Sequence, residues 1–485
     1  MKKRSVRWFS CLMALALLFQ FFIPVKANAE NYSDPAPSIQ PTTANGCSVL
    51  FDNTHGETAG AADWVIDGGF SDFANALANT GYRVTELRKN TPITYSDLSS
   101  YSVFVIPEAN IPFKTTEQAA LVQYVQNGGS IFFIADHYNA DRNKNRWDAA
   151  EVFNGYRRGA YADPTSGMSA EEAASAAMSD VASSDWLATN FGVRFRYNAL
   201  GDITANGIVS PDQCFNITQN VTGVAMHAGA TLAILDPTIA KGIVYLPSGL
   251  TASNKWASAV DDGVYNGGGT AEGAFVAISK VGAGKAAFIG DSSAVEDASP
   301  KYLKEENGGT KTTYDGFSEV NDATLLVQLI DWLAAQESYT SFTTQGITLD
   351  TPTALYSYET PSASTEPQAE PWAAPASGYK WYDPSTFKSG SYGYTGSAPV
   401  TYSNYTLAMP SQIPAGQVLP LTVYFSGLTA NTTYSGFKVG AYVTGGTQIG
   451  KFADVGGTLP SASGYSSDFS ITTNANGSAS KTMIF

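Results

Sequence analysis

The sequence predicts an α/β protein with a doubly wound, mainly parallel sheet of the flavodoxin-like type, followed by a small all-β sandwich of the immunoglobulin-like type. Three observations lead to this fold class. Apolar strands alternate with amphipathic helices across residues 46–337. A stretch rich in Pro, Ser and aromatic residues follows over 338–395. From 396 to 485, short alternating strands are separated by Gly and Asn turns, which is typical of a sandwich.

The strands of the first region are short, continuous apolar runs, and helical segments separate most of them. Such strands predict a parallel sheet that is covered on both faces. The helix signals agree, because TTEQAALVQYVQNGG begins with a Thr/Glu capping pattern and ends on Gly128 and Gly129. In chain order the predicted elements are CSVLFDN, DGGFSDFANALANTGY, RVTELRK, SVFVIPEAN, TTEQAALVQYVQNGG, SIFFIAD, GAFVAISK, GKAAFIG and NDATLLVQLIDWLAAQ.

The alternation loosens between residues 142 and 270. MSAEEAASAAMSDVASSDWLATNFG, residues 168–192, is predicted to be helical, and GATLAIL and GIVYLPSG are predicted strands. Long loops rich in Gly, Asn and Asp separate these elements. In a compact domain such loops usually form a site, so we expect the insertion to contribute to one.

The chain is therefore divided into five parts. They are a signal peptide (1–29), a polar lead-in (30–45), an α/β domain (46–337), a linker (338–395) and a β-sandwich module (396–485). We expect the linker to lie partly over the first domain through Trp372, Trp381 and Tyr382. The module stops on KTMIF, which reads as the start of a strand, so we expect a truncated version of a longer protein.

The N-terminus predicts export. MKKRSVR is basic, CLMALALLFQFFIPV is apolar, and an Ala-x-Ala site ends at Ala29, which is the pattern of a cleaved signal peptide. An uncleaved anchor is the weaker reading because the apolar run is short. Cleavage removes five basic residues and no acids, so the formal net charge falls from −15 to −20. A secreted protein this acidic repels nucleic acid and favours divalent cations.

Polar side chains follow several strands at the point where each strand ends. Asp52 and His55 follow CSVLF, Asp136 and His137 follow SIFFIA, and Asp291 follows GKAAFIG. In a doubly wound sheet these carboxyl ends meet at one edge, where ligands bind. The sequence therefore predicts a site at this edge, which would also include Glu108, Asn110 and Asn139.

Two chemistries fit this set of side chains. Imidazole and carboxylate groups bind Zn²⁺, Mn²⁺ or Ca²⁺ and activate water, and the predicted metal ligands are Asp52, His55, Asp136 and His137. Without a metal, the predicted catalytic residues His137, Asp136, His55 and Asp291 act as acids and bases on a sugar or an ester. The predicted substrate-binding residues are Glu108, Asn110, Asn139, Arg142 and Arg146. The alternative is that the acids cap helices and the histidines pack.

Other candidates are weaker. His227 precedes a strand, so packing and function are equally open for it. The run beginning at Asp141 resembles a calcium loop but lacks the required Gly and Glu. Cys47 and Cys214 either form a disulfide or remain buried thiols. The basic group either anchors a substrate carboxylate or phosphate or forms a solvated face; it comprises Arg142, Arg146, Arg157 and Arg158.

Region 46–337 resembles the class I glutamine-amidotransferase-like superfamily, particularly its ThuA-like branch. The resemblance rests on the His-Gly pair after the first strand, on GGSIFFIADH and on VGAGKAAFIGDSS. It places the nucleophile elbow at Ala135-Asp136-His137, where amidotransferases carry cysteine, so it implies no thioester chemistry. ThuA-like members carry a histidine near this elbow, which implies a functional role for His137. The insertion at 142–270 departs from the family pattern and leaves the substrate class open.

Three functions follow as hypotheses. The first is a secreted hydrolase for a polar extracellular substrate, with carbohydrate preferred. The second is a non-catalytic protein that binds polysaccharide or cell-wall material. The third is a DNA-binding protein or nuclease, because the chain also resembles secreted Bacillus-type proteins that are often labelled DNA-binding. The acidic charge gives this third hypothesis no support.

Overall fold

The structure is a computed structural model, which describes residues 30–259, 263–366, 368–395, 405–409, 416–441 and 448–485. The described residues belong to two compact units, one that ends before residue 399 and one that begins there. The predicted signal peptide and the first residues of the predicted sandwich module, 396–404, lie outside the described residues.

The first unit is an α/β structure. Its strands are β1 (Ser38–Ile39), β2 (Ser48–Asp52), β3 (Arg83–Leu87), β4 (Val103–Pro107), β5 (Ser130–Ile134), β6 (Val193–Phe195), β7 (Ile203–Ala205), β8 (Gly207–Ile208), β9 (Val224–Met226), β10 (Leu232–Ile234), β11 (Ala240–Tyr245), β12 (Ala274–Val281) and β13 (Gly284–Ile289). Its helices are α1 (Ser71–Asn79), α2 (Tyr95–Leu98), α3 (Thr115–Gln126), α4 (Ala149–Asn154), α5 (Ala170–Ala173), α6 (Trp186–Phe191), α7 (Gly269–Glu272) and α8 (Asp322–Ala334).

A parallel core of five strands organises the sheet. The strands lie in the order β3-β2-β4-β5-β13, and each pairs with its neighbours in parallel. Counted along the chain, this is the order 2-1-3-4-5, one of the two common doubly wound orders. The order reverses between β2 and β4. Ligands bind at such a switch point in open α/β sheets, so the side chains that follow β2, β4 and β5 are well placed for a site.

The sheet is mixed, and the prediction of a mainly parallel sheet is wrong beyond the core. Strands β12, β10 and β6 continue it antiparallel, and β1 pairs antiparallel with β3 at the opposite edge. The turn between β12 and β13 contains only Gly282 and Ala283, and Gly282 has φ +57°. A turn this short can join only antiparallel neighbours, because a parallel connection needs a long crossover.

Apolar side chains cover both faces of the sheet. One buried cluster includes Phe73 and Leu77 of α1 together with Leu329 of α8. The cluster on the opposite face includes Leu121 of α3 and Phe153 of α4. The strands therefore face packed helices on both sides, which explains why they read as continuous apolar runs.

The predicted helix over 168–192 is wrong for most of its length, because the structure has only the short helices α5 and α6 there. The chain between α5 and α6 forms hydrogen bonds with the start of α3. Asp180 accepts hydrogen bonds from the backbone N–H and hydroxyl of Thr116 at 3.1 and 2.8 Å. Lys114 donates to the carbonyl groups of Ala176 and Ser179 at 2.7 and 2.6 Å. These tertiary bonds take carbonyl groups that a continuous helix would use itself.

The described residues of the predicted linker, 338–366 and 368–395, form a strap along the α/β unit. They contain the 3-10 helices Phe342–Gln345, Ser357–Glu359, Pro361–Ala363 and Pro384–Thr386. Glu359 accepts two hydrogen bonds from Arg196, both at 2.8 Å. Trp381 donates to Glu172 at 2.8 Å, and the ring of Trp372 packs edge-on against Tyr138. The strap is therefore held by buried charge and by aromatic contacts.

The second unit is antiparallel. Its strands are β14 (Tyr405–Ala408), β15 (Pro420–Phe425), β16 (Thr433–Phe437), β17 (Ala453–Asp454), β18 (Phe469–Thr472) and β19 (Ala479–Ile484). They form a four-stranded sheet in the order β14-β15-β19-β17 and the pair β16-β18, and one apolar cluster joins the two sheets. This agrees with a small β domain, while the immunoglobulin-like assignment stays a prediction.

Cys47 and Cys214 are both free thiols, which answers the disulfide question left open by the sequence. No helix within the described ranges has the length and apolar content that a bilayer span requires.

Candidate active site

The end of β2 places a histidine between two carboxylates. His55 Nδ1 lies 2.8 Å from Asp52 Oδ2, and His55 Nε2 lies 3.3 Å from Glu117 Oε2. The hydroxyl of Thr54 donates to the other oxygen of Asp52 at 2.7 Å and fixes that carboxylate. All three members of the ion network are buried. Glu117 lies in the first turn of α3, so the network ties the end of a strand to the start of a helix.

This environment charges the imidazole. Burial alone would lower the pKa of His55, but the negative charges of Glu117 and Asp52 outweigh it and raise the pKa well above its usual range. Burial likewise works to raise the pKa of Glu117, but the charge of His55 and hydrogen bonds from backbone N–H groups lower it to about 2. His55 is therefore an imidazolium held in a buried ion network.

Glu57 completes a group that could hold a metal ion. One carboxylate oxygen each from Asp52 and Glu57 and a ring nitrogen of His55 lie within 4.8 Å of one another. Among the described residues, Asp136 and His137 do not join this group. The residue types suit Zn²⁺ or Mn²⁺, and Glu57 Oε1 is buried without a hydrogen-bond partner. A metal here would have to displace the proton of His55, because both ring nitrogens already face carboxylates.

The end of β5 places the second histidine in a different environment. His137 Nδ1 lies 2.7 Å from the carbonyl oxygen of Tyr138, and His137 Nε2 lies 3.8 Å from Asp136 Oδ1. A carbonyl oxygen only accepts, so Nδ1 carries the hydrogen of the neutral ring. Burial lowers the pKa of His137, and the positive charge of Arg142 adds to this against the opposing charge of Asp136. The imidazole is therefore neutral, and the part-exposed ring of Trp256 covers it at 4.2 Å between centroids.

Arg142 joins the carboxylates beside His137. It forms an ion pair with Asp136 and donates from Nε to Glu108 Oε1 at 2.9 Å. Its guanidinium group also lies over the ring of Trp64, 5.6 Å from the centroid. Burial raises the pKa of Glu108 well above its usual range, against the lowering effect of Arg142. The side chain of Arg142 is 21% exposed, so this network reaches the surface.

The end of β13 adds further acids to the same network. Asp291 accepts from the backbone N–H of Ser293 at 2.8 Å and from that of His227. Burial, followed by the charge of Asp136, raises the pKa of Asp291 well above its usual range. Ser292 connects Asp136 with a further acid, Glu296. Its hydroxyl lies 3.4 Å from Asp136 Oδ2 and 2.8 Å from Glu296 Oε1.

Two of the predicted substrate-binding residues, Asn110 and Asn139, form backbone hydrogen bonds that connect loops at this edge. Asn110 donates its N–H to the carbonyl of His55 at 2.7 Å, and its own carbonyl accepts from Asn145 at 2.6 Å. It therefore links the two strand ends. Asn139 has φ +69° and donates its backbone N–H to Asp148, so it shapes the loop after His137.

The basic group is divided between different contacts. Arg142 belongs to the Asp136 network, whereas Arg146 donates to Glu172 at 2.6 Å beside the strap. Arg157 donates to Glu370 at 3.1 Å, and Arg158 lies over the ring of Tyr138 at 5.0 Å. Arg157 and Arg158 are only 5% and 6% exposed, so they do not form a solvated face.

His227, the weakest candidate, lies at the same edge through its backbone bond to Asp291. Its ring nitrogens lie 3.0 Å from Asp202 Oδ1 and 2.8 Å from Glu319 Oε2. Its side chain is 17% exposed, whereas the side chains of His55 and His137 are 4% and 5% exposed. The sequence offered only its spacing from strands, which does not reveal this position.

Sequence reasoning missed several residues of the site. Glu117 reads as a helix cap, and nothing in the sequence links it to His55, 62 positions away. Trp64 and Trp256 lie in loops without a motif, yet they pack on Arg142 and His137. Ser292 and Glu296 follow Asp291 closely, and that proximity was the available signal.

Comparison with known proteins gives little. No family model matches the chain, and no curated protein matches it. Among solved structures, the chain is similar to the mmIFT52 N-terminal domain at TM-score 0.37 and 12% identity, over 60% of this chain and 99% of that one. It is also similar to a putative ThuA-like protein from Parabacteroides merdae at TM-score 0.32 and 12% identity, over 59% of this chain and 89% of that one. Likenesses at these TM-scores support no inference about activity, and the superfamily resemblance stays a prediction.

Proposed function

We propose that this chain is a secreted hydrolase for a polar extracellular substrate, with carbohydrate preferred, and that Asp136 and His137 lie at its reacting centre. The observation that supports this most is the neutral imidazole of His137 at the end of β5, beside the network of Asp136, Arg142 and Glu108. Groups whose environments drive their pKa values in different directions are the usual basis of acid and base roles.

His137 has the properties of a general base. Its Nδ1 donates to the carbonyl of Tyr138, so the lone pair that can accept a proton is on Nε2. Its lowered pKa keeps the ring neutral at physiological pH and therefore ready to take a proton from water. The carbonyl of Tyr138 fixes the orientation of the ring.

Glu108 and Arg142 supply the complementary roles. The raised pKa of Glu108 keeps a proton on its carboxyl group, which suits a general acid. Arg142 is positively charged and partly exposed, so it can stabilise negative charge that develops on a substrate oxygen. Trp256 is partly exposed and its ring packs against His137, so an aromatic side chain lies beside the proposed reacting centre, where it would contact a sugar ring.

Activity assays on the full chain test the proposal. We expect the wild type to hydrolyse at least one member of a panel of polysaccharides, aryl glycosides and aryl esters. His137→Gln should reduce that activity about 100-fold or more, the usual worth of a general base. His227→Ala is the matched control, because its ring pairs with Asp202 and Glu319 outside the network. An inactive wild type, or equal activity in both variants, contradicts the proposal.

Treatment with a chelator distinguishes metal-assisted hydrolysis from acid/base catalysis without a metal. A metal held by Asp52, His55 and Glu57 would be removed by a strong chelator, and activity that depends on it would fall and return with Zn²⁺ or Mn²⁺. Activity that survives chelation unchanged supports acid/base chemistry by His137 without a metal.

Glycan binding by the second unit is a second candidate. Tyr424 on β15 is 49% exposed. An exposed aromatic ring offers an apolar face with a polar hydroxyl, which suits contact with a polysaccharide chain. We expect Tyr424→Ala in the full chain to weaken retention on insoluble glycans; unchanged retention would remove this candidate.

A further inference from the structure

The strap meets the insertion after β5 at a cluster of three glutamates. Glu151 on α4 and Glu366 and Glu370 on the strap each offer one carboxylate oxygen, and these oxygens lie within 4.8 Å of one another. Glu151 is fully buried, and the side chain of Glu370 is 2% exposed. Carboxylates this close repel one another strongly when water is excluded.

Two members of the cluster accept hydrogen bonds from neutral protein groups. Glu151 accepts backbone N–H bonds from Asp148 at 3.1 Å and from Arg158 at 2.6 Å. Glu366 accepts from the hydroxyl of Tyr138 at 2.7 Å. These N–H and phenol donors are uncharged, so the bonds themselves add no positive charge.

Glu370 carries the observation that points to a ligand. Its Oε2 accepts from Arg157 Nη2 at 3.1 Å. Its Oε1 is buried and has no hydrogen-bond partner among the described residues. A buried carboxylate oxygen without a partner is costly, because it has lost its water and gained nothing in return. A cation bound at that oxygen would remove the cost.

The charge balance around the cluster leaves room for a divalent ion. Asp141 and Asp148 are also buried beside the cluster, which makes five carboxyl groups. Two guanidinium groups lie nearby, one on Arg157 and one on Arg158. The carboxyl groups therefore outnumber the guanidinium groups, and a bound divalent cation would reduce the excess of negative charge.

We propose that Glu151, Glu366 and Glu370 hold a divalent cation that fastens the strap to the α/β unit. The three donors are all carboxylate oxygens, with no imidazole or thiolate to select zinc, so the cation is a hard one. Ca²⁺ fits best because it tolerates irregular oxygen cages, whereas Mg²⁺ demands near-ideal octahedral geometry. None of the three ligands belongs to the Asp136–His137 network, so the calcium test is separate from the test of the hydrolase proposal.

Calcium titration of the full chain tests the site. After chelation and desalting, we expect calorimetry to show one strong Ca²⁺ equivalent per chain and thermal scans to show a higher unfolding temperature with Ca²⁺. Limited proteolysis should cut the strap faster in the chelated chain. Glu370→Gln should weaken Ca²⁺ binding about tenfold or more, because it removes a charged ligand and leaves the shape unchanged.

Glu171→Gln is the matched control, since Glu171 pairs with Lys380 of the strap at 2.5 Å but lies outside the cluster. It should bind Ca²⁺ as the wild type does. If Glu370→Gln does not fold, Glu366→Gln provides the same test from the strap. The proposal is overturned if the chelated chain takes up no Ca²⁺, or if both cluster variants bind Ca²⁺ as tightly as the wild type.

Discussion

The chain that ends β2 and the chain that follows β5 each contain an aspartate and a histidine, but the two histidines differ in charge. β2 ends on Asp52 and is followed by His55, β5 is followed by Asp136 and His137, and both histidines are buried. His55 faces a carboxylate at 2.8 and 3.3 Å from its two ring nitrogens, whereas His137 faces a carbonyl at Nδ1, has Asp136 only at 3.8 Å from Nε2, and has Arg142 nearby. Burial disfavours charge at both positions, so the neighbours decide the outcome. A buried histidine is thus a cation at the end of β2 and a neutral ring after β5.

The largest expected loss of stability comes from removing one of the two carboxylates that face His55. Glu117→Gln leaves the His55 imidazolium with a single anionic partner in a buried site. Breaking a buried ion pair in this way costs about 3–5 kcal/mol, which urea unfolding would measure. Glu171→Gln is the control, because a surface pair contributes about 0–1 kcal/mol. A loss below about 1 kcal/mol in Glu117→Gln would mean that His55 is not charged.

A smaller loss of stability is expected when the arginine near His137 is replaced. Arg142→Gln leaves Asp136 without its ion-pair partner and Glu108 without a hydrogen-bond donor, but the site is partly open to solvent. We expect the free energy of unfolding to fall by about 2 kcal/mol. The same change should raise the pKa of His137, because the charge of Arg142 holds it down. An unaltered His137 pKa would show that burial alone keeps the ring neutral.

The smallest effect is on the pH dependence of stability. As the pH rises, the contribution of His55 to the free energy of unfolding falls, whereas that of His137 increases. The raised pKa of His55 contributes stability that is complete below about pH 6.5 and is lost as the pH rises. The lowered pKa of His137 contributes stability above about pH 6.5 that is lost as the pH falls through its folded-state value. We expect His137→Gln to reduce the loss of stability below about pH 6.5 in urea unfolding, while leaving the alkaline side unchanged. A change on the alkaline side instead would contradict the assignment.

The positions of both histidines could be predicted from the sequence, but their charges could not. Apolar runs that end in polar residues locate strand ends, and parallel strands bring those ends to one edge. Asp52, Asp136 and Asp291 were found in this way. The charge of His55 depends on Glu117 in a different helix, and only the folded chain brings them to 3.3 Å.

The strap shows a second limit of sequence reasoning. Its Pro, Ser and aromatic content is typical of a linker, and composition does not reveal that Glu359 meets Arg196 or that Trp381 meets Glu172. The cluster of Glu151, Glu366 and Glu370 was missed for the same reason. Glu151 is more than 200 positions from Glu366 and Glu370, and it lies in an insertion with loose patterning.

Imidazole ¹⁵N spectra of the full chain test the central claim most directly, because the chain has only three histidines. The variants His137→Gln and His227→Ala assign the signals. From about pH 5 to pH 9, we expect His55 to remain an imidazolium past neutrality, and His137 to be neutral with its hydrogen on Nδ1 at pH values where a free histidine is already half charged. If both rings titrate together near the ordinary histidine pKa, the surroundings of His55 and His137 are electrostatically equivalent, which contradicts the assignment of different charges to the two histidines.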